Sequence, residues 1–140
     1  MAKQSIAILP LTFLASGAVA AHRAVGFNGA QATVQGQKVM GVSPRPVDSG
    51  YHSDVTAVGT AVIETGGIFS AGASLIVDSQ GRAIASSGKL ELAAGATAVT
   101  SSAANGNTIF AGGDMPEFVF ADALEASGGA GAFVEVLLRR

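Results

Sequence analysis

Short apolar runs alternate with glycine-containing turns along most of this chain, and its 19 glycines are spread between the runs. This pattern is typical of a fold made of many short strands joined by turns. The sequence therefore predicts a mainly β fold. The predicted strands cover residues 5–14, 24–27, 32–34, 38–42, 55–64, 75–78, 82–85, 89–92 and 133–138.

The clearest predicted strand has the sequence VTAVGTAVIE and covers residues 55–64. Successive side chains of a strand point to opposite faces of the sheet. The odd-numbered positions therefore share one face, and the even-numbered positions share the other. Because both faces carry mostly apolar or small residues, we predict that this strand lies at the centre of its sheet.

Three turns are predicted between the strands. The sequence DSQGR at residues 78–82 separates two apolar runs, which indicates a hairpin loop with Gly81 at a positive φ angle. Asn28 and Gly29 form the dipeptide favoured in short hairpin turns. Residues 105–107 form the third predicted turn.

Helix signals are sparse, and we predict at most one short helix, around residues 121–126. Ser127 and Gly128 would end it, since glycine commonly follows the last helical residue. The glycine-rich residues 128–131 predict a flexible hairpin before the last strand, because they lack the lysine and hydroxyl residue of a phosphate-binding loop.

The first 20 residues fit two interpretations. Lys3, the apolar residues 6–14 and Ala18-Val19-Ala20 resemble the three parts of a cleavable export signal. The same residues also fit an apolar strand followed by a small-residue turn, and Pro10 suits a strand edge or bulge better than a helical signal. We expect residues 1–20 to be kept as an N-terminal strand or arm. The alternative is an exported or cell-surface β-sandwich module that loses this segment.

Composition narrows the possibilities further. The chain has 140 residues, which predicts a single domain over residues 1–140. Charged residues make up only 13%, against a usual share of about 25%, and mean hydropathy is +0.45. A surface with so little charge suggests that other subunits cover part of it. A net charge of −2 and the scattered basic residues predict no direct nucleic-acid binding, and no apolar stretch is long enough to predict a membrane span.

Candidate chemistry is thin. The chain has no cysteine, so it has no disulfide, thiolate metal site or cysteine nucleophile. His52 and Asp54 could share one side of a strand and bind a divalent metal in a small enzyme, but an exposed loop is the interpretation that we favour. No serine lies in a nucleophile elbow. We therefore expect no catalytic site, cofactor or metal.

The order of several sequence blocks resembles the capsid cement, or head decoration, proteins of tailed bacteriophages. The blocks are AAHRAVGFNGAQATVQG, KVMGVS, DVTAVGTAVIETGG, IFSAGASLIVDSQGRAIA and GAFVEVLL, and they span most of the chain. Each block is mostly alanine, glycine and valine, so the specificity lies in the ordered set. The insert at residues 100–117 is longer and contains more phenylalanine than this pattern leads us to expect.

The resemblance implies a small β-barrel or β-tulip-like sandwich on the outer surface of the virion capsid, assembled in the host cytoplasm. The implied partners are the major capsid protein, which it would clamp to its neighbours, and further copies of the chain, with a trimer favoured. An N-terminal arm can add a strand to a neighbouring sheet in such assemblies. The candidate interaction residues are Lys3, Ile6, Ile8, Leu11 and Phe13 on this arm and Arg45 at the tip of the stiff loop at residues 43–46.

Overall fold

The structure, a computed structural model, describes residues 3–88 and 117–139 and the backbone of two short strands between these ranges. The described residues form strands and no helix. The strands are β1 (Ala7–Leu14), β2 (Arg23–Gly26), β3 (Val39–Ser43), β4 (His52–Glu64), β5 (Ile68–Phe69), β6 (Ser74–Val77), β7 (Ala83–Ala85), β8 (Ser101–Ser102), β9 (Thr108–Ile109), β10 (Ala121–Ala123), β11 (Ser127–Gly128) and β12 (Phe133–Leu138).

The chain divides into two compact units. The larger unit combines residues 1–86 with residues 117–140, and the smaller unit is residues 87–116. In the smaller unit, β8 and β9 pair antiparallel, with Ser101 opposite Ile109 and Ser102 opposite Thr108.

One antiparallel sheet organises the larger unit. Its strands follow the order β2-β3-β4-β12-β10-β6-β7, and β1 adds to β4. A separate two-stranded sheet pairs β11 with β5. β4 pairs with β1, β3 and β12, and its odd-numbered residues 55–63 are all buried. The predicted central strand is therefore confirmed.

The two ends of this sheet nearly meet. The backbone N–H of Ala24 on β2 donates to the carbonyl of Gly81, next to β7, at 2.8 Å. Arg23 donates to the carbonyl of Gln80 at 2.7 Å and to the Glu64 carboxylate at 2.6 Å. These bonds join β2, β4 and the β6–β7 turn. The sheet is thus a nearly closed barrel, and the predicted mainly β fold is confirmed.

Two clusters of buried apolar residues form the core. The larger cluster contains Ala24, Ala32, Val39, Val42, Ala61, Ile63, Phe69, Leu75, Val77, Ala83, Phe120, Ala121, Ala123, Val134, Val136 and Leu138. The smaller cluster contains Phe13, Ala15, Val19, Val25 and Val55, so residues 13–19 contribute to the interior.

The predicted hairpin at residues 78–82 is confirmed as the β6–β7 turn. One Asp78 carboxylate oxygen accepts the backbone N–H groups of Gln80 and Arg82, both at 2.8 Å. The other accepts the Arg82 Nε–H at 2.8 Å. Gly81 has φ +74°, as the sequence predicted. At Asn28 and Gly29 the predicted turn is present, with Gly29 at φ +77°, but a single bridge between Val25 and Gln31 replaces a full hairpin.

The predicted helix around residues 121–126 is wrong. Ala121–Ala123 is strand β10, which pairs with both β6 and β12, and Ser127–Gly128 is strand β11. The helix was predicted from a local signal, the Ser127 and Gly128 pair that commonly follows the last helical residue. Two flanking strands that satisfy the backbone and bury both alanines outweigh that signal.

The predicted strand at residues 32–34 is also wrong. The Gln37 side-chain oxygen accepts the backbone N–H groups of Thr33 and Val34, at 3.1 and 2.8 Å. A side chain that bonds to nearby backbone in this way competes with strand pairing. The predicted strand at residues 89–92 and the predicted turn at residues 105–107 lie outside the described residues.

Candidate interaction surface

β1 is an edge strand of its own sheet. Among the described residues it pairs with β4 alone, and its register is regular from Pro10, opposite Thr56, to Leu14, opposite His52. The Ala15 N–H donates to the Tyr51 carbonyl at 2.9 Å, which sets the alternation of the ladder. The backbone groups of Leu11 and Phe13 therefore face β4, and those of Pro10 and Thr12 face the open edge.

Most side chains of this edge strand are exposed. Four large apolar side chains of β1 and that of Ile6, just before it, are uncovered, and we name them the β1 apolar surface: Ile6 (55% exposed), Ile8 (72%), Leu9 (45%), Leu11 (37%) and Leu14 (54%). Single exposed apolar residues are ordinary, but a run of them along one strand indicates a surface that contacts another molecule. Three of the sequence-predicted residues, Ile6, Ile8 and Leu11, lie in this surface.

Phe13 has a different environment. Its side chain is only 6% exposed and packs in the smaller core cluster with Ala15, Val19, Val25 and Val55. Phe13 therefore anchors β1 to its own barrel. Loss of residues 1–20 would remove three of the five side chains of that cluster, namely Phe13, Ala15 and Val19.

Lys3 and Gln4 lie beside the β12 region. The Lys3 ammonium is 3.4 Å from the Glu125 carboxylate, and the Gln4 N–H donates to the Glu135 carboxylate at 3.2 Å. The Glu135 backbone N–H donates to Glu125 at 3.3 Å. That bond is the main reason why the pKa of Glu125 lies below its ordinary value. Burial opposes this shift, and the Lys3 charge adds a smaller lowering.

Arg45 extends from the loop after β3, and its guanidinium forms an ion pair with Asp54 on β4. The Ser43 hydroxyl donates to the Arg45 carbonyl at 2.7 Å and holds the loop. The Asp54 carboxylate is thus engaged by Arg45. In the part of the chain that the structure describes, no group of three histidine, cysteine, aspartate or glutamate residues could hold a metal ion, so His52 and Asp54 gain no third ligand.

A groove that the sequence did not predict lies where the start of β3, the end of β12 and the segment before β10 meet. Its volume is about 510 Å³, and we name it the phenylalanine groove. Its walls come from four separate stretches of chain, so no local motif could have marked it. The lining residues are Phe27, Lys38, Val39, Phe118, Val119, Phe120 and Arg139.

Backbone hydrogen bonds hold the walls of this groove together. Phe118 donates to the Gly36 carbonyl at 2.9 Å, and Phe120 donates to the Leu75 carbonyl at 3.0 Å. Arg139 donates to the Phe120 carbonyl at 2.8 Å, and its guanidinium forms an ion pair with Asp122. The segments that line the groove are therefore held in place by the hydrogen bonds of the barrel.

The described residues contain no helix with the length and hydropathy that crossing a membrane requires.

The chain matches no protein-family model and no curated protein. Among solved structures it is similar to the head fiber gp8.5 N base in bacteriophage phi29, with a TM-score of 0.61 and 16% sequence identity, over 94% of this chain and 93% of that one. At an identity this low, the similarity shows a shared fold and does not show shared site residues. The chain thus shares its fold, over nearly its whole length, with the base of a bacteriophage head fiber.

Proposed function

We propose that the chain is a structural protein of a tailed-bacteriophage head that binds the outer surface of the capsid. The observation that carries this proposal is the fold shared with a head fiber base over 94% of the chain. The ordered sequence blocks that resemble head decoration proteins support it independently. Few charges and an uncovered apolar strand fit a protein that works by binding neighbours.

The β1 apolar surface is the contact that clamps adjacent major capsid proteins. Burial of apolar side chains gives about 25 cal/mol for each Å² removed from water, so side chains as exposed as Ile6 and Ile8 leave much to gain. Lys3 and Arg45 lie on the same unit and would add charged contacts at the rim. Three copies around a local threefold axis would bind far more tightly than one, because contacts repeated on a shell act together.

The test uses heads of the encoding phage that lack this protein, to which the purified chain is added. We expect the wild-type chain to sediment with the heads and to raise the temperature at which they release DNA. Ile8→Asp should weaken binding at least about tenfold, since it places a charge in an apolar contact. Cryo-electron microscopy of the decorated heads shows the position and the number of copies at each site.

Ile68→Asp is the matched control. Ile68 is 77% exposed and Ile8 is 72% exposed, but Ile68 lies on β5, away from β1 in the sheet order. Equal binding by the two variants would contradict the β1 contact. No binding by the wild-type chain would contradict the head role itself.

The intact mass of the chain from native particles separates this proposal from an exported β-sandwich module. Retention of residues 1–20 supports the head protein. A mature chain that begins near Ala21 would support the exported module.

A further inference from the structure

We infer that the phenylalanine groove binds an amphipathic carboxylate, a small organic acid with an aliphatic or aromatic body. This inference goes beyond the head role and does not depend on it. Four features support it: the size of the groove, its aromatic walls, the charged residues that line it and the hydrogen bonds that its backbone groups already make.

The size and the walls fit a small ligand. A volume of about 510 Å³ lies within the range of about 300–1,000 Å³ that is usual for small-molecule sites. Three phenylalanines and two valines supply apolar walls, and Phe27 and Phe118 are 63% and 44% exposed. Because these rings are exposed to water, a ligand with an apolar body that covers them would bind with a favourable free energy.

The charges select an anion. Lys38 and Arg139 both line the groove, and none of the described lining residues is acidic. Arg139 has an ion-pair partner in Asp122, whereas the Lys38 ammonium has no ion-pair partner among the described residues. A carboxylate that enters beside Lys38 would pair with a cation that none of the described carboxylates neutralises.

The backbone argues for a free small molecule over a docked peptide strand. An added strand needs unused N–H and carbonyl groups along the wall. The N–H groups of Phe118, Phe120 and Arg139 already donate within the barrel, and the carbonyl of Phe120 already accepts. A ligand that relies on apolar packing and one charged group needs none of these.

Decanoate is the probe, and decyltrimethylammonium and decanol serve as cationic and neutral ligands of the same chain length. Binding to the full chain is measured by calorimetry at low ionic strength, below the concentration at which each amphiphile forms micelles. We expect decanoate to bind most tightly, with amide chemical-shift changes centred on Val39 and residues 118–120. Equal binding of the cationic ligand, or shifts centred elsewhere, would overturn the inference.

Two substitutions test the two halves of the site. Lys38→Gln should weaken decanoate binding about fivefold, because it removes one exposed charge pair, and should leave decanol binding unchanged. Phe27→Ser should weaken both ligands about tenfold through lost apolar contact. Ser49→Glu makes the same net-charge change as Lys38→Gln on an exposed turn outside the groove and should leave both affinities unchanged.

Urea unfolding of each variant checks that the fold persists. A Lys38→Gln protein that unfolds like the wild type and binds decanoate equally well would overturn the role of Lys38. Absence of decanoate binding to the wild-type chain would overturn the whole inference. Neither result bears on binding to phage heads, which is measured separately.

Discussion

At the scale of single residues, burial separates side chains that look equivalent in the sequence. Phe13 and Leu11 both belong to one apolar run, yet Phe13 is 6% exposed and Leu11 is 37% exposed. The sequence could predict a strand here, because apolar residues and the position of Pro10 indicate one. It could not predict which side chains are covered, because the cover comes from Val19, Val25 and Val55 in other segments.

Lys3 likewise has a partner that no local pattern reveals, the carboxylate of Glu125 near the other end of the sequence. The pKa of Glu125 is lowered, first by the Glu135 backbone N–H and then by Lys3. We expect Lys3→Gln to raise the pKa of Glu125 part of the way to its ordinary value, as measured by NMR titration of the side-chain carboxyl carbon.

The sign of the linked pH effect follows from the lowered pKa. Glu125 holds fewer protons in the folded state, so its contribution to stability is present above the ordinary glutamate pKa of 4.5 and is lost as pH falls below it. The wild type and Lys3→Gln should therefore differ in the free energy of unfolding at neutral pH and converge in acid. A gap that widens in acid would contradict this origin.

At the scale of elements, the alternation of side chains and the chemistry of turns were enough to predict the central strand and the turn at residues 78–82. VTAVGTAVIE has apolar residues on both faces, and the Asp78 turn closes through its own side chain. The predictions failed at β10 and at residues 32–34. At β10 one partner, β6, is distant in sequence, and the other, β12, lies beyond β11, so no local pattern marks the pairing. At residues 32–34 the Gln37 side chain accepts the backbone N–H groups.

The pairing of β1 with β4 depends on Gly59. Its φ is +115°, and a Cβ there would lie 2.0 Å from the Ile6 carbonyl oxygen. We expect Gly59→Ala to detach the start of β1, which hydrogen exchange would detect as faster exchange of the β1 amides that face β4. Backbone strain alone would cost about 1–2 kcal/mol of unfolding free energy, and the clash adds to that.

Gly50→Ala separates strain from clash. Gly50 also has a positive φ, +88°, but a Cβ there meets nothing within 4 Å. This variant should lose stability through strain only and keep the β1 amides protected. If both variants exposed β1 equally, the close approach of Ile6 to Gly59 would not be what holds the strand.

At the scale of the whole larger unit, a few polar contacts close the seam of the barrel. Arg23 joins the Glu64 carboxylate on β4 to the carbonyl of Gln80 beside β7, and both charged side chains are mostly buried. The order of the strands explains why the sequence could not show this seam, since its members come from three distant segments. The fold class was predictable from alternation and glycine turns, but the closure was not.

Arg23→Ala should therefore destabilise the protein by about 3 kcal/mol in urea unfolding, because it leaves the Glu64 charge without its partner in a mostly buried site. The double variant Arg23→Met/Glu64→Gln should recover a large part of this loss, since no unpaired charge remains. If the double variant were as unstable as Arg23→Ala, lost packing and not the unpaired charge would explain the effect.

Pro10 has a consequence for the behaviour of many copies at once. An unpaired strand edge is a template on which another chain can form hydrogen bonds, and apolar strands stack into fibres by this route. Proline has no N–H, and the backbone nitrogen of Pro10 faces the open edge of β1, where an added strand would need a donor. An incoming strand would find its hydrogen-bond ladder interrupted near the middle of β1. The apolar side chains of β1 thus stay accessible while the backbone resists fibril growth, which matters most at high protein concentration.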